Sequence, residues 1–244
     1  MKKRTYEWIG TENRMEYRYS PAGNFEDYAS GRVLYGGRGV PNFPVRLIVE
    51  IFGRARSRLK DGERLRVYDP CCGGAYALTV LGFFCGSCIG RIYASDISPD
   101  MLGIAEKNLG LLTREGLDKR REELERLLAM SGKPSYADAL ESLERLRRDL
   151  PRGIETEVFA ADCTKPLPDI RPDVIITDVP YGNLAQWQGE DALRAMLGQL
   201  RKISSDDTVL AVCADKSQKI RSDEWVRIEK QNVGKRRFEI FIRN

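Results

Sequence analysis

From Leu65 onward the chain repeats one pattern: a short apolar run, a loop, then a helical stretch. The runs are 65–68, 91–94, 157–160, 173–176 and 208–212. Each is too short for a helix, is rich in β-branched and aromatic residues and ends in turn residues, so each reads as a strand. Strands joined through helices pair in parallel, and the helices cover both faces of the sheet. This alternation confines the chain to an α/β, Rossmann-like three-layer sandwich.

Helices are expected at about 75–84, after Ser98 with Pro99 in the first helical position, and at about 189–203. Pro44 introduces another helix that begins at Val45. Two segments depart from the rhythm. Residues 113–150 carry a charged helical pattern interrupted by Ser131-Gly132-Lys133-Pro134, which predicts an inserted helical hairpin. Residues 225–243 alternate with period two around Gly234, which predicts a terminal β-hairpin. The expected sheet therefore has seven strands, mostly parallel, with an antiparallel last strand. All 244 residues are expected to form one domain, with 1–60 as an N-terminal extension and helix.

Composition narrows the function. The chain has no histidine, which removes triads, zinc–histidine sites and imidazole bases. Its six cysteines include adjacent Cys71-Cys72 and the pair Cys85 and Cys88. Adjacent thiols chelate one ion poorly, so no metal is expected. No apolar run has membrane-spanning length and no signal peptide is visible, so the cytoplasm is the expected location. A monomer is the expected oligomeric state.

Charge is uneven. Residues 1–60 hold 12 Lys/Arg against 6 Asp/Glu, and residues 216–244 hold 9 against 4, while the middle is net acidic. Basic ends around an acidic centre suit an anionic partner. In the first forty residues Tyr17, Tyr19, Phe25, Tyr28 and Tyr35 interleave with Arg14, Arg18, Arg32 and Arg38. That mixture serves either base stacking or packing onto a core. Arg38, Lys235, Arg236 and Arg237 are the expected contacts to nucleic acid. The charged hairpin is either a clamp on the partner or a solvated scaffold.

Two loops carry the chemistry. Asp69-Pro70-Cys71-Cys72-Gly73-Gly74 follows the first strand, where nucleotide cofactors approach the backbone of parallel sheets. Asp96 ends the second strand, in place either to accept from ribose hydroxyls or to serve as a turn or helix-capping aspartate, with Ile97 beside it. Asp162-Cys163 follows the third strand, where Asp162 either reaches an adenine ring or caps a helix. Asp178-Val179-Pro180-Tyr181-Gly182 follows the fourth. There a carboxylate and the Val179 carbonyl can accept from a base's exocyclic amine, and the Tyr181 ring can hold the flipped base flat. Asp178, Val179, Pro180 and Tyr181 are therefore the expected catalytic set. Asp69 through Gly74, Asp96, Ile97, Asp162 and Cys163 are the expected cofactor-binding set. The ordered pair of loops points to a nucleic-acid methyltransferase, which needs alignment of nucleophile, methyl carbon and sulfur and no imidazole base.

The loop pair resembles class I S-adenosylmethionine-dependent methyltransferases of the amino-methylating kind. More narrowly, the chain resembles the AviRa family of ribosomal RNA guanine methyltransferases, which confer avilamycin resistance. The similar segments also include Phe43-Pro-Val-Arg-Leu, Leu78-Thr-Val-Leu-Gly, Ala94-Ser-Asp, Lys107-Asn-Leu, Gly132-Lys-Pro-Ser-Tyr and Trp187. The resemblance implies a class I methyltransferase fold, S-adenosylmethionine as cofactor and a guanine of large-subunit (23S) ribosomal RNA as substrate. The exocyclic amine is the favoured target atom. Two residues depart from the pattern. Ala75 stands where a further glycine is usual, which requires negative φ there. Val179 replaces the second proline of the adenine-type loop. A DNA or RNA adenine-N6 methyltransferase, a protein glutamine methyltransferase and a non-catalytic RNA-binding protein of the same fold remain alternatives.

Overall fold

The computed structural model describes residues 15–36, 43–60, 64–179 and 189–244. Its strands are β1 (Leu65–Asp69), β2 (Ile89–Asp96), β3 (Glu155–Ala160), β4 (Val174–Asp178), β5 (Val209–Asp215), β6 (Trp225–Val233) and β7 (Arg236–Arg243). They form one sheet in the order β3-β2-β1-β4-β5-β7-β6. β7 is antiparallel to both of its neighbours, and β1 to β5 are parallel.

The order reverses between β1 and β4, which pair directly through Val67↔Val174 and Tyr68↔Ile175. From β1 the chain winds outward through β2 to β3, then returns to the other side of β1. Loops at the carboxyl ends of β1 and β4 consequently diverge and leave a crevice between them.

Period-two alternation divides the inner strands between two cores. Val67, Val174, Ile176, Val209 and Ala211 face one side, with α1 (Val45–Arg56), α2 (Tyr76–Cys85) and α3 (Pro99–Gly110). Tyr68, Ile175, Leu210 and Val212 face the other, under α6 (Gly189–Ile203). α6 presents Leu193, Met196, Leu197 and Leu200 as one buried stripe at helical spacing. Burial of each such side chain stabilises by roughly 1.5–3 kcal/mol.

The inserted hairpin is α4 (Arg114–Ser131) and α5 (Pro134–Arg148). Thr113 caps α4 by accepting from the Gly116 N–H, and Gly132 turns the chain at φ 63°. Arg147 pairs with Asp118 across the hairpin at 2.6 Å, and Arg145 pairs with Asp27 of the extension at 2.8 Å. These charges tie the hairpin to the domain, which fits the scaffold alternative. The capping expectation at Ser98 holds in position only: Pro99 opens α3, but the Ser98 hydroxyl makes no capping bond.

The extension is anchored by a buried carboxylate. Glu50 of α1 accepts from the N–H groups of Arg18 (3.0 Å), Tyr19 (2.7 Å) and Ser20 (3.1 Å), and from Arg54 Nε (2.7 Å). Arg54 also reaches Glu229 of β6 and the Glu16 carbonyl. Burial alone would raise the Glu50 pKa, but these donors outweigh it and lower it. Further along, the buried Asn108 of α3 accepts from Tyr35 N (2.8 Å) and donates to the Tyr35 and Gly74 carbonyls (3.0 and 2.8 Å). One amide thus joins the extension to the loop after β1.

Glu50→Ala leaves three backbone N–H groups and the Nε of the buried Arg54 guanidinium without their acceptor. It should destabilise the protein by about 3–5 kcal/mol in urea unfolding. A loss below about 1 kcal/mol would show that the extension adds little to the fold.

Candidate active site

The loop after β1 is held from below by carboxylates. Asp69 Oδ1 accepts from Cys71 N at 3.0 Å, and Asp96 Oδ2, at the tip of β2, accepts from Gly73 N at 2.8 Å. Asp96 Oδ1 accepts from Ser98 N at 2.9 Å. Gly73 adopts φ 51°, and a Cβ there would meet nothing within 4 Å, so the backbone lies open to the crevice. At Gly74 a Cβ would come within 2.8 Å of Ile104 Cγ2, so its absence lets α3 pack against the loop.

Ala75 corrects the expectation of negative φ. It is left-handed, at φ 53° and ψ 27°, where a Cβ costs roughly 1–2 kcal/mol. The turn from β1 into α2 demands that conformation. Ala75 N donates to the Cys72 carbonyl (2.8 Å), and its own carbonyl accepts from Thr79 N (3.0 Å) and Thr79 Oγ1 (2.9 Å). Its methyl is buried in the core, which offsets part of the cost.

Across the crevice, Asp178 ends β4. Asp69, Cys71 to Gly74 and Asp178 line one cavity with Tyr35, Phe43, Met101 and Cys213. Val179 is buried, and its N–H donates to the Cys213 carbonyl at 2.9 Å. Asp178 Oδ2 lies 3.5 Å from Arg236 Nη2, and its Oδ1 is buried without a hydrogen-bond partner among the described residues. Pro180, Tyr181, Arg38 and Trp187 lie outside the described residues.

Arg236 and Arg237 separate. Successive β7 residues point to opposite faces. Arg236 shares a face with Phe238 and Ile240 and lies over the Phe43 ring, 5.0 Å from its centroid. Arg237 is 7 % exposed. It donates to the Lys216 carbonyl at 3.0 Å and to the Gln218 carbonyl. Its Nε lies 2.7 Å from Glu239 Oε1, at an angle unsuited to a hydrogen bond. Arg237 therefore does not fit the expected role of nucleic-acid contact; its donors serve the loop 216–218. Lys235 is exposed in the β6–β7 turn, and its carbonyl accepts from the N–H of Lys216, another exposed cation that sequence reasoning passed over.

Beside the β1 loop, Ile97 is 72 % exposed, an apolar side chain open to solvent at the tip of β2. Cys163 is buried, with its Sγ 3.6 Å from Cys71 Sγ. Asp162 accepts from Thr164 N (3.0 Å) and Thr164 Oγ1 (2.6 Å), which lower its pKa. Among the aromatics of the extension, Phe25 and Tyr28 pack on Phe84, while Arg46 and Arg120 cover Tyr17 and Tyr35. These rings are held by contacts within the protein, and Tyr35 also lines the cavity. Among the described residues, no helix is long and apolar enough to cross a membrane, and no group of three or more Cys, Asp or Glu is placed to hold a metal ion.

Two carboxylates in the crevice resist ionisation. Burial raises Asp69 to about 7, partly opposed by the Cys71 N–H and reinforced by Asp96 and Asp178. Burial raises Asp178 to about 6, and the Arg236 charge opposes it. In the window between the unfolded carboxylate value and pH 7, the native state therefore binds more protons than the unfolded state. Stability contributed by these groups is present at acid pH and lost as pH rises through 6 to 7. No histidine titrates across that window. The urea midpoint should fall between pH 5.5 and pH 8, and Asp69→Asn should flatten the dependence. A midpoint that rises with pH in the wild type would contradict the burial of these acids.

The geometry can now be set beside known proteins. The model of the AviRa rRNA methyltransferase family matches residues 15–236. A curated relative from Streptomyces viridochromogenes, named 23S rRNA (guanine(2535)-N(1))-methyltransferase, is 38 % identical over 225 residues, covering 86 % of this chain and 88 % of its own. Two solved structures of rRNA methyltransferase AviRa from the same organism are similar. One is 35 % identical with a TM-score of 0.84, covering 94 % of this chain and 96 % of that one. The other is 34 % identical with the same TM-score, covering 93 % and 96 %. The chain belongs to the AviRa family of rRNA methyltransferases.

Proposed function

We propose that the protein methylates N1 of a guanine in large-subunit ribosomal RNA, with S-adenosylmethionine as donor. The observation that carries this reading is the direct pairing of β1 with β4, which puts Asp178 and the loop 69–74 on one cavity.

The residues present fit the cofactor. The open Gly73 backbone leaves room for the methionyl part. Each Asp96 oxygen accepts one backbone N–H, and a carboxylate has lone pairs left for ribose hydroxyls. The exposed Ile97 side chain offers an apolar face to the adenine ring, with Asp162 and Cys163 at its edge. Asp69, Asp96 and Asp178 complement a ligand bearing a sulfonium and an ammonium charge. When bound, the cofactor supplies an activated methyl group whose departure needs no acid.

Asp178, the Val179–Pro180 backbone and Tyr181 are assigned to the base. The choice of N1 over the exocyclic amine follows the name of the curated relative and the chemistry of Asp178. A guanine N1 still carries a proton at neutral pH and must lose it to act as nucleophile. A partly buried carboxylate with an oxygen that has no hydrogen-bond partner among the described residues is suited to take that proton. RNA phosphates are assigned to the exposed Lys216 and Lys235, which follow β5 and precede β7 at the carboxyl end of β5. Resistance to an orthosomycin antibiotic is the physiological role that family membership suggests, read by comparing susceptibility with and without the gene.

The test is mass mapping of large-subunit rRNA from cells with and without the protein, which should differ by one methyl on one guanine N1. Asp178→Ala should abolish that methyl while calorimetry still detects cofactor binding; undiminished turnover would remove Asp178 from the mechanism. Lys216→Ala with Lys235→Ala should weaken RNA binding and make the slope of log affinity against log salt shallower by about 1–2. An unchanged slope would put the phosphate contacts elsewhere.

A further inference from the structure

Arg236 lies outside the two loops that carry the methyltransferase motifs. It starts β7, the antiparallel strand, and is separated from β4 by β5. Its register partner on β5 is Asp215, and Asp178 pairs with Cys213 two residues away. The side chain therefore leans back over β5 to bring Nη2 within 3.5 Å of Asp178 Oδ2. Stacking on Phe43 steadies it, and it is only 17 % exposed. That placement is unlike a phosphate contact. Lys216, Lys219 and Lys235 are exposed, whereas Arg236 faces the same side of the sheet as the core residues Phe238 and Ile240.

A guanidinium beside a carboxylate presents donors next to acceptors. The Watson–Crick edge of guanine presents the converse, with an acceptor at O6 beside a donor at N1. Adenine offers a donor at N6 beside a lone pair at N1, so both groups of the protein would meet a like partner. Such mismatches leave buried polar groups unpaired and discriminate strongly.

We infer that Arg236 selects guanine: its guanidinium donates to O6 of the target base while Asp178 accepts the N1 proton. The inference rests on the N1 reading above. In the step, the N1–H bond breaks and its proton passes to the Asp178 carboxylate. The freed N1 electron pair forms the bond to the methyl carbon, and the electron pair of the methyl–sulfur bond stays on sulfur, which becomes a neutral thioether. As N1 loses its proton, negative charge spreads to O6, where the fixed Arg236 charge meets it in a site screened from water. Asp178 then returns the proton to solvent. Besides Arg236, the charged or titratable groups facing Asp178 among the described residues are Asp69 on β1 and the Cys213 thiol on β5. The carboxyl of Asp178, raised to about 6, is ionised above neutral pH and close enough to it to act as a base.

The experiment is single-turnover methyl transfer to undermethylated 23S rRNA, followed across pH, for wild type and Arg236→Gln. The substitution should slow transfer by roughly 100–1000-fold, as loss of one oxyanion donor does. RNA and cofactor affinities should stay within about threefold, a loss confined to the transition state. The wild-type rate should level off once Asp178 is ionised, and in the variant, which lacks the charge that lowers the Asp178 pKa, that plateau should move to higher pH. In a transcript spanning the mapped nucleotide, inosine, which keeps O6 and N1–H but lacks the 2-amine, should be methylated and adenosine should not. Should Arg236→Gln fail to fold, Arg236→Lys carries the test: charge without the planar fork should slow transfer while the plateau stays near the wild-type pH.

An unchanged rate with weaker RNA affinity and a shallower salt slope would make Arg236 a phosphate ligand and overturn the inference. An Arg236→Gln pH profile parallel to the wild type, or an unmethylated inosine transcript, would also overturn it. The parent reading fails separately, if the wild-type methyl is found on the 2-amine. Methyl on N1 with normal Arg236→Gln kinetics defeats only the role of Arg236.

Discussion

The pairing of β1 with β4 is the constraint on which the rest of the structure depends. Parallel strands need long crossovers, and the chain leaves β1 toward β2 on one side and later returns to β1 from the other. The two loops at that junction therefore part, and a crevice forms without further design. Asp69 and Asp178 end the two paired strands, so their carboxyls come to one place although 108 residues separate them. What closes around them, Phe43 before α1 and Arg236 on β7, comes from opposite ends of the chain.

Burial then gives these acids their character. A carboxylate at the end of a sheet usually meets water or helix-start N–H groups, which keep it ionised. Asp162 shows that behaviour, with Thr164 donating twice and the pKa lowered. Asp69 and Asp178 differ because burial opposes their ionisation, reinforced at Asp69 by the Asp96 and Asp178 charges. Among the described residues, only Arg236 works in the other direction at Asp178. In a chain without histidine, this is how a carboxyl can be brought toward the working range of a base.

Much of this was legible in the residues, for stated reasons. Strand runs such as Val174-Ile175-Ile176 alternate between two buried faces, and Pro44, Pro99 and Pro134 mark helix starts that the structure keeps. The Gly132 and Gly234 turns, at φ 63° and 58°, fell where the pattern changes. The loop after β1 and the acid after β4 announced themselves because each follows a strand. Three features were not legible. Ala75 takes a left-handed conformation that its side chain disfavours, and only the packing around Cys72 and Thr79 explains why. Arg236 and Arg237 look equivalent in a basic run, yet the pleat sends one to the crevice and buries the other against Glu239. The aromatic and basic extension read equally as base stacking or core packing, and only the structure shows that Glu50, Asn108 and Phe84 bind it to the domain.

The most direct measurement is a crystal structure of the protein with S-adenosylhomocysteine. The account predicts the ribose at Asp96, the adenine against Ile97 and the sulfur over Gly73, turned toward the Asp178 carboxyl. A ligand bound anywhere else on the protein, or one in the crevice with its sulfur turned away from Asp178, would contradict it.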